Sequence, residues 1–93
     1  MLNKYETIFI IAPAVEDKAA VVEKFTTMIN SDGKVENVDE WGNRKLAYEI
    51  KKNKEGYYVL INFEAKPTFI DELERVYKIT DEVIKFITVK KEI

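Results

Sequence analysis

Ninety-three residues, 46% hydrophobic and 34% charged, describe one folded domain with a single core, not a disordered chain, and no apolar run approaches the ~20 residues of a membrane-spanning helix. A net charge of −2 excludes a uniformly basic nucleic-acid binder, and the lack of Cys and His removes disulfides, thiolate chemistry, the commonest general base and the commonest metal ligand. Charge is nonetheless segregated, with a net +4 over residues 44–54 and +2 over 85–93 against −4 over 15–40 and −3 over 64–82. One part of the surface can therefore attract a polyanion while the rest stays acidic.

The opening Met1-Leu2-Asn3-Lys4 lacks the apolar core and cleavage site of a secretory signal and runs straight into a strand. That strand, Tyr5 to Ala12, is β-branched and aromatic, and Pro13 stops it. From Asp17 to Asn30 the period becomes helical, with Val22, Phe25, Thr26 and Ile29 on one side, Asp17 at the N-terminus and Gly33 placed as a left-handed closing residue. Val35 and Val38 begin a second strand, and a bulge is expected at Trp41-Gly42, because a glycine inside a strand pattern often marks one. The strand resumes through Leu46, Tyr48 and Ile50, which share a face and are expected to anchor it in the core.

A lysine-rich turn over Lys51 to Gly56 leads to the third strand, Tyr57 to Ala65, whose Tyr57, Val59, Ile61 and Phe63 form the cleaner apolar face. Pro67 opens a second helix with Thr68 to Asp71 as a capping box and Ile70, Leu73, Val76 and Tyr77 as its buried stripe. Ile84 to Val89 is the last strand. The order β-α-β-β-α-β defines an α+β, ferredoxin-like sandwich: a four-stranded antiparallel sheet, first and third strands central, with two helices on one face.

The other sheet face is then open. With Tyr5, Phe9, Val59, Ile61 and Phe63 under the helices, Ile8, Ile10, Tyr58 and Leu60 lie together on the uncovered side, joined by Trp41. A patch of this kind suits a protein partner; ordinary strand formers on a solvated sheet are the other reading. Direct stacking of RNA bases is disfavoured, since Tyr58 is the one suitable ring on the central strands and Glu6 and Glu64 repel phosphate. Phosphate contact falls instead to the cationic hairpin and the C-terminal lysines. No catalytic constellation, phosphate-cradling glycine loop or carboxylate metal site is visible, so no enzyme, cofactor, metal or small-molecule substrate is expected.

Lys4 to Ile11, the segment Trp41-Gly42-Asn43-Arg44-Lys45-Leu46-Ala47-Tyr48, Gly56 to Leu60 and Ile79 to Lys85 together resemble the bacterial small ribosomal subunit protein six family. The Trp-Gly-x-Arg-x-Leu-Ala-Tyr element is the specific part. The resemblance implies a cytoplasmic, ribosome-bound, non-enzymatic protein that binds small-subunit ribosomal RNA together with small-subunit ribosomal protein eighteen in the platform. Its basic positions fall on Arg44 and Lys4; by position Lys45, Lys51, Lys52, Lys54, Lys85 and Lys90 join them as phosphate contacts. The chain departs from the family pattern at Asn43, where a basic residue is frequent, and at Glu49, where proline is frequent. Arg44 has a second reading, a brace paired with Glu40 or Asp39. A self-associating ferredoxin-like module without an RNA role is the alternative function.

Overall fold

Alternation along the two central strands sets the layering. A computed structural model describes residues 2–91; Met1, Glu92 and Ile93, part of the domain expected over residues 1–93, lie outside the described residues. The elements are β1 (Asn3–Ile11), α1 (Lys18–Asp32), β2 (Lys34–Ile50), β3 (Asn53–Ala65), α2 (Pro67–Ile79) and β4 (Val83–Lys90). The strands form one antiparallel sheet in the order β2-β3-β1-β4, so β1 and β3 are central, as the element order requires.

Tyr5, Phe9 and Ile11 of β1 and Val59, Ile61, Phe63 and Ala65 of β3 pack against Val21, Val22, Phe25 and Ile29 of α1 and Phe69, Leu73 and Tyr77 of α2. An aromatic cluster holds the centre: Phe9, Phe25 and Tyr77 lie with ring centroids 4.5 to 5.3 Å apart. Thr7, fully buried on the same face, has its hydroxyl 3.1 Å from the Tyr77 hydroxyl and 3.0 Å from that of Thr88. The polar tip that Tyr77 carries into the core is thereby satisfied.

Local rules explain the helix ends, with two corrections. Asp17 caps α1 as expected, its carboxylate accepting the Ala20 amide at 3.0 Å. Gly33, however, is not left-handed: its φ is −147°, and glycine is required there because a Cβ would run into the Glu64 carbonyl oxygen of β3. The capping box expected on α2 does not form. The N-cap is Lys66, without a side-chain bond, and Pro67 fills the first helical position, where its missing N–H costs nothing. Of the expected stripe of α2, Leu73 and Tyr77 are buried, joined by Phe69, while Ile70 and Val76 flank them, half-buried.

The hairpin departs most from expectation. The turn between β2 and β3 is only Lys51-Lys52, closed by the pairing of Ile50 with Asn53, and Lys54, Glu55 and Gly56 belong to β3. Both turn lysines are left-handed, with φ of 47° and 66°. This is the backbone of a two-residue type I′ hairpin, usually filled by Asn-Gly.

The expected bulge at Trp41-Gly42 is present, with Gly42 at φ 81°, and a second register shift lies between Val35 and Asn37. A bulge sets two residues against one and so exchanges the faces of everything beyond it. Val38 pairs with Ile61 and Glu40 with Val59 on the helix side, but Gly42 pairs with Tyr58 and Arg44 with Gly56 on the open side. A third register shift lies between Lys45 and Ile50, so alternation cannot be carried further along β2. Leu46, Tyr48 and Ile50 lie on the open side, against Ile8, Ile10 and Tyr58, and their expected place in the helix-covered core is corrected.

Candidate functional site

The open face is built from the register of the central strands. Ile8 lies opposite Leu60, Ile10 opposite Tyr58 and Glu6 opposite Asn62; on the other side Ile8 pairs with Ile87 and Ile10 with Lys85. Antiparallel partners point to the same face. The four apolar residues expected together are therefore together, extended by Ile87 of β4.

Over one end of this face the β2–β3 arm bends back. Leu46, Tyr48 and Ile50 on the arm and Ile8, Ile10, Tyr58 and Ile87 on the sheet line an apolar groove of about 300 Å³. Ile10 consequently retains 5% exposure although no helix covers it. At the rim the Lys85 ammonium donates to the Tyr48 hydroxyl at 3.0 Å and sits 5.3 Å from the Tyr48 ring centroid. That hydrogen bond holds the Lys85 ammonium above its usual range.

Beside the groove, Trp41 and Tyr58 stack with ring centroids 6.1 Å apart and planes 12° from parallel. The indole N–H donates to the Asp39 carboxylate at 3.0 Å, and Glu40 accepts from the Tyr57 hydroxyl at 2.8 Å. Both acids considered as partners for Arg44 are thus bonded elsewhere. Arg44 is exposed and takes part in neither ion pair found among the described residues; the brace does not form. It instead lines a shallow cleft with Trp41 and Tyr58.

The basic candidates fall into two groups. Arg44, Lys45, Lys51, Lys52 and Lys54 all ride on the arm, and Lys85 is drawn to it through Tyr48. Lys4 and Lys90 lie at the opposite end of the sheet, where Tyr5 pairs with Lys90 and Lys4 with Glu64. Lys4 also approaches Glu36 at 3.9 Å, an exposed pair of little energetic weight. The sequence reading missed the covering role of Leu46 and Ile50, which the register shifts of β2 hide from simple alternation; Trp41 and Tyr58 lie side by side on the open face, as expected.

Among the described residues no group of three or more Asp, Glu, His or Cys side chains could hold a metal ion, and no described helix is long and apolar enough to cross a membrane. The arrangement offers an apolar surface beside a cationic arm, chemistry suited to recognition.

A family model described as Ribosomal protein S6 matches residues 4–90. The small ribosomal subunit protein bS6 of Clostridium kluyveri is 56% identical over 94 residues, covering 98% of this chain and 99% of that protein. The counterpart of Clostridium novyi is 53% identical with the same coverage. The crystal structure of 30S ribosomal protein S6 from Thermotoga maritima matches with a TM-score of 0.92 at 39% identity, over 98% of this chain and 89% of that one.

Proposed function

We propose a role from one premise: the chain belongs to the ribosomal protein S6 family. It is a structural protein of the small ribosomal subunit in the cytoplasm and not an enzyme. In this reading it acts as one domain over residues 1–93. It binds small-subunit ribosomal RNA jointly with small-subunit ribosomal protein eighteen during platform assembly.

The observation that carries the joint reading is the adjacency of two unlike surfaces. Ile8, Leu60 and Ile87 form an apolar patch on the open sheet face, and the arm bordering it holds a net +4 over residues 44–54. A protein partner covers the apolar patch, with Ile10, Tyr58 and Trp41 at its border. RNA phosphates meet Arg44, Lys45, Lys51, Lys52, Lys54 and Lys85, with Lys4 and Lys90 as a separate contact at the far end. Phosphate contacts of this kind give affinity that falls steeply with salt.

The test is RNA binding to a platform fragment across a salt series, with and without protein eighteen. Joint binding requires that the partner tighten RNA affinity. If affinity is the same with and without it, the joint reading fails, and sedimentation across concentration then decides whether the open face pairs two copies of the chain instead.

A further inference from the structure

The corner formed by Trp41, Tyr58 and Arg44 has the composition of a nucleotide site. The two rings stack, with planes 12° from parallel and centroids 6.1 Å apart, so a further ring can continue the stack on a face left exposed. The indole is held in place by its N–H bond to Asp39, and Trp41 nonetheless keeps 40% of its surface exposed. Arg44 lines the same cleft, without an ion-pair partner among the described residues. A rigid aromatic surface with an uncompensated guanidinium beside it matches an unpaired nucleotide: the base stacks and the phosphate meets the cation.

We propose that this corner stacks one unpaired base of the bound RNA, while the apolar patch around Ile8 and Leu60 is left to the protein partner. A purely apolar partner surface would leave Arg44 buried and unpaired, which is costly; a nucleotide satisfies ring and cation together. The bulge at Gly42 creates the site, because it swings Arg44 to the open side where Tyr58 already lies. The inference rests on the RNA-binding reading and adds where a base, as opposed to a phosphate, is held.

Trp41 is the chain's single tryptophan, so its fluorescence reports the corner alone. The full chain is titrated at low salt with a single-stranded oligoribonucleotide and, separately, with a duplex of the same sequence. Stacking predicts saturable quenching by the single strand and little by the duplex. Arg44→Gln and Tyr58→Leu should each weaken the quenching midpoint about tenfold, with circular dichroism confirming that both variants fold. Equal quenching by duplex and single strand, or midpoints unmoved by both substitutions, would overturn the proposal. So would quenching by protein eighteen alone, without RNA, which would make the corner a protein contact. Binding of labelled platform RNA with protein eighteen present, read on the RNA, separates the two levels: if it persists without Trp41 quenching, only the stacking fails; if both are absent, the RNA-binding reading fails with it.

Discussion

Tyr48 and Lys85 sit on strands at opposite edges of the sheet, β2 and β4, yet the Lys85 ammonium donates to the Tyr48 hydroxyl at 3.0 Å. The contact is possible only because the β2–β3 arm arches across the open face. It closes the groove over Ile10 and leaves Tyr48 itself 64% exposed, so the latch is on the outside and the packing beneath it. A latch of exposed groups is weak and reversible.

Tyr48→Ala should therefore release the arm without unfolding the domain. Amide hydrogen exchange over residues 44–56 should accelerate, while amides of β1 and the Val59–Phe63 part of β3 keep their protection. Acceleration spread evenly over the whole sheet would mean that the arm and the core open together and that no separate latch exists.

The Lys51-Lys52 turn sets stability against charge. Both residues are held at positive φ, a conformation that costs side-chain-bearing L-residues roughly 1–2 kcal/mol each. Changing Lys51→Asn together with Lys52→Gly installs the favoured type I′ sequence. Its net gain should be about 1 kcal/mol after the entropy cost of glycine, read as a higher urea midpoint. The same change removes two cations, so the slope of log affinity for RNA against log salt should become shallower by roughly 1.5. A higher midpoint with an unaltered salt slope would remove these lysines from the RNA interface.

The element order, the central strands and the membership of the sheet faces on β1 and β3 were legible in the residues because strict alternation carries them. Ile8 and Leu60 follow from parity alone. Leu46, Tyr48 and Ile50 did not, because β2 shifts register against β3 between Val35 and Asn37, at the Trp41-Gly42 bulge and again between Lys45 and Ile50, and simple alternation does not survive these shifts. The bulge itself was readable from the glycine; its effect on the faces beyond needed the register. The helix ends divided the same way. Asp17 acts locally and was visible, whereas the demand at Gly33 comes from the Glu64 carbonyl, 31 positions away in the chain. The stacked geometry of Trp41 on Tyr58 is likewise tertiary, although their shared face was expected.

Tyr77 gives the domain an alkaline sensitivity. Burial pushes its hydroxyl well above the ordinary value of 10.0, opposed in part by the hydrogen bond with Thr7. A folded-state value raised above the unfolded one means that stability is complete below pH 10 and is lost as pH rises. Above pH 10 the unfolded chain releases a proton that the folded chain keeps, a loss of about 1.4 kcal/mol per pH unit. Tyr57, raised by its bond to Glu40, pulls in the same direction. Tyr77→Phe should cost about 1 kcal/mol at pH 7, since Thr7 keeps Thr88 as a partner, and should flatten the fall between pH 10 and 11 in urea unfolding. An unchanged alkaline slope would assign the sensitivity to other groups.

Two neighbouring positions on β3 test the two sheet faces directly. Leu60 is half-buried, opposite Ile8 on one side and Asp39 on the other, whereas Ile61 is fully buried under the helices. Leu60→Asp places a carboxylate against Asp39 and loses part of an apolar contact. Both effects are modest, roughly 1–2 kcal/mol together, and the new charge keeps access to water. The variant should fold, with a native circular dichroism spectrum and a cooperative transition, but should lose docking of protein eighteen in a pull-down or titration. Ile61→Asp puts the same charge into the aromatic core with no cation to meet it, and should leave the chain unfolded at 25 °C, because an unpaired buried charge exceeds the stability of a domain this size. A folded Ile61→Asp beside an unfolded Leu60→Asp would reverse the faces. A folded Leu60→Asp that still binds its partner would place the partner elsewhere on the surface.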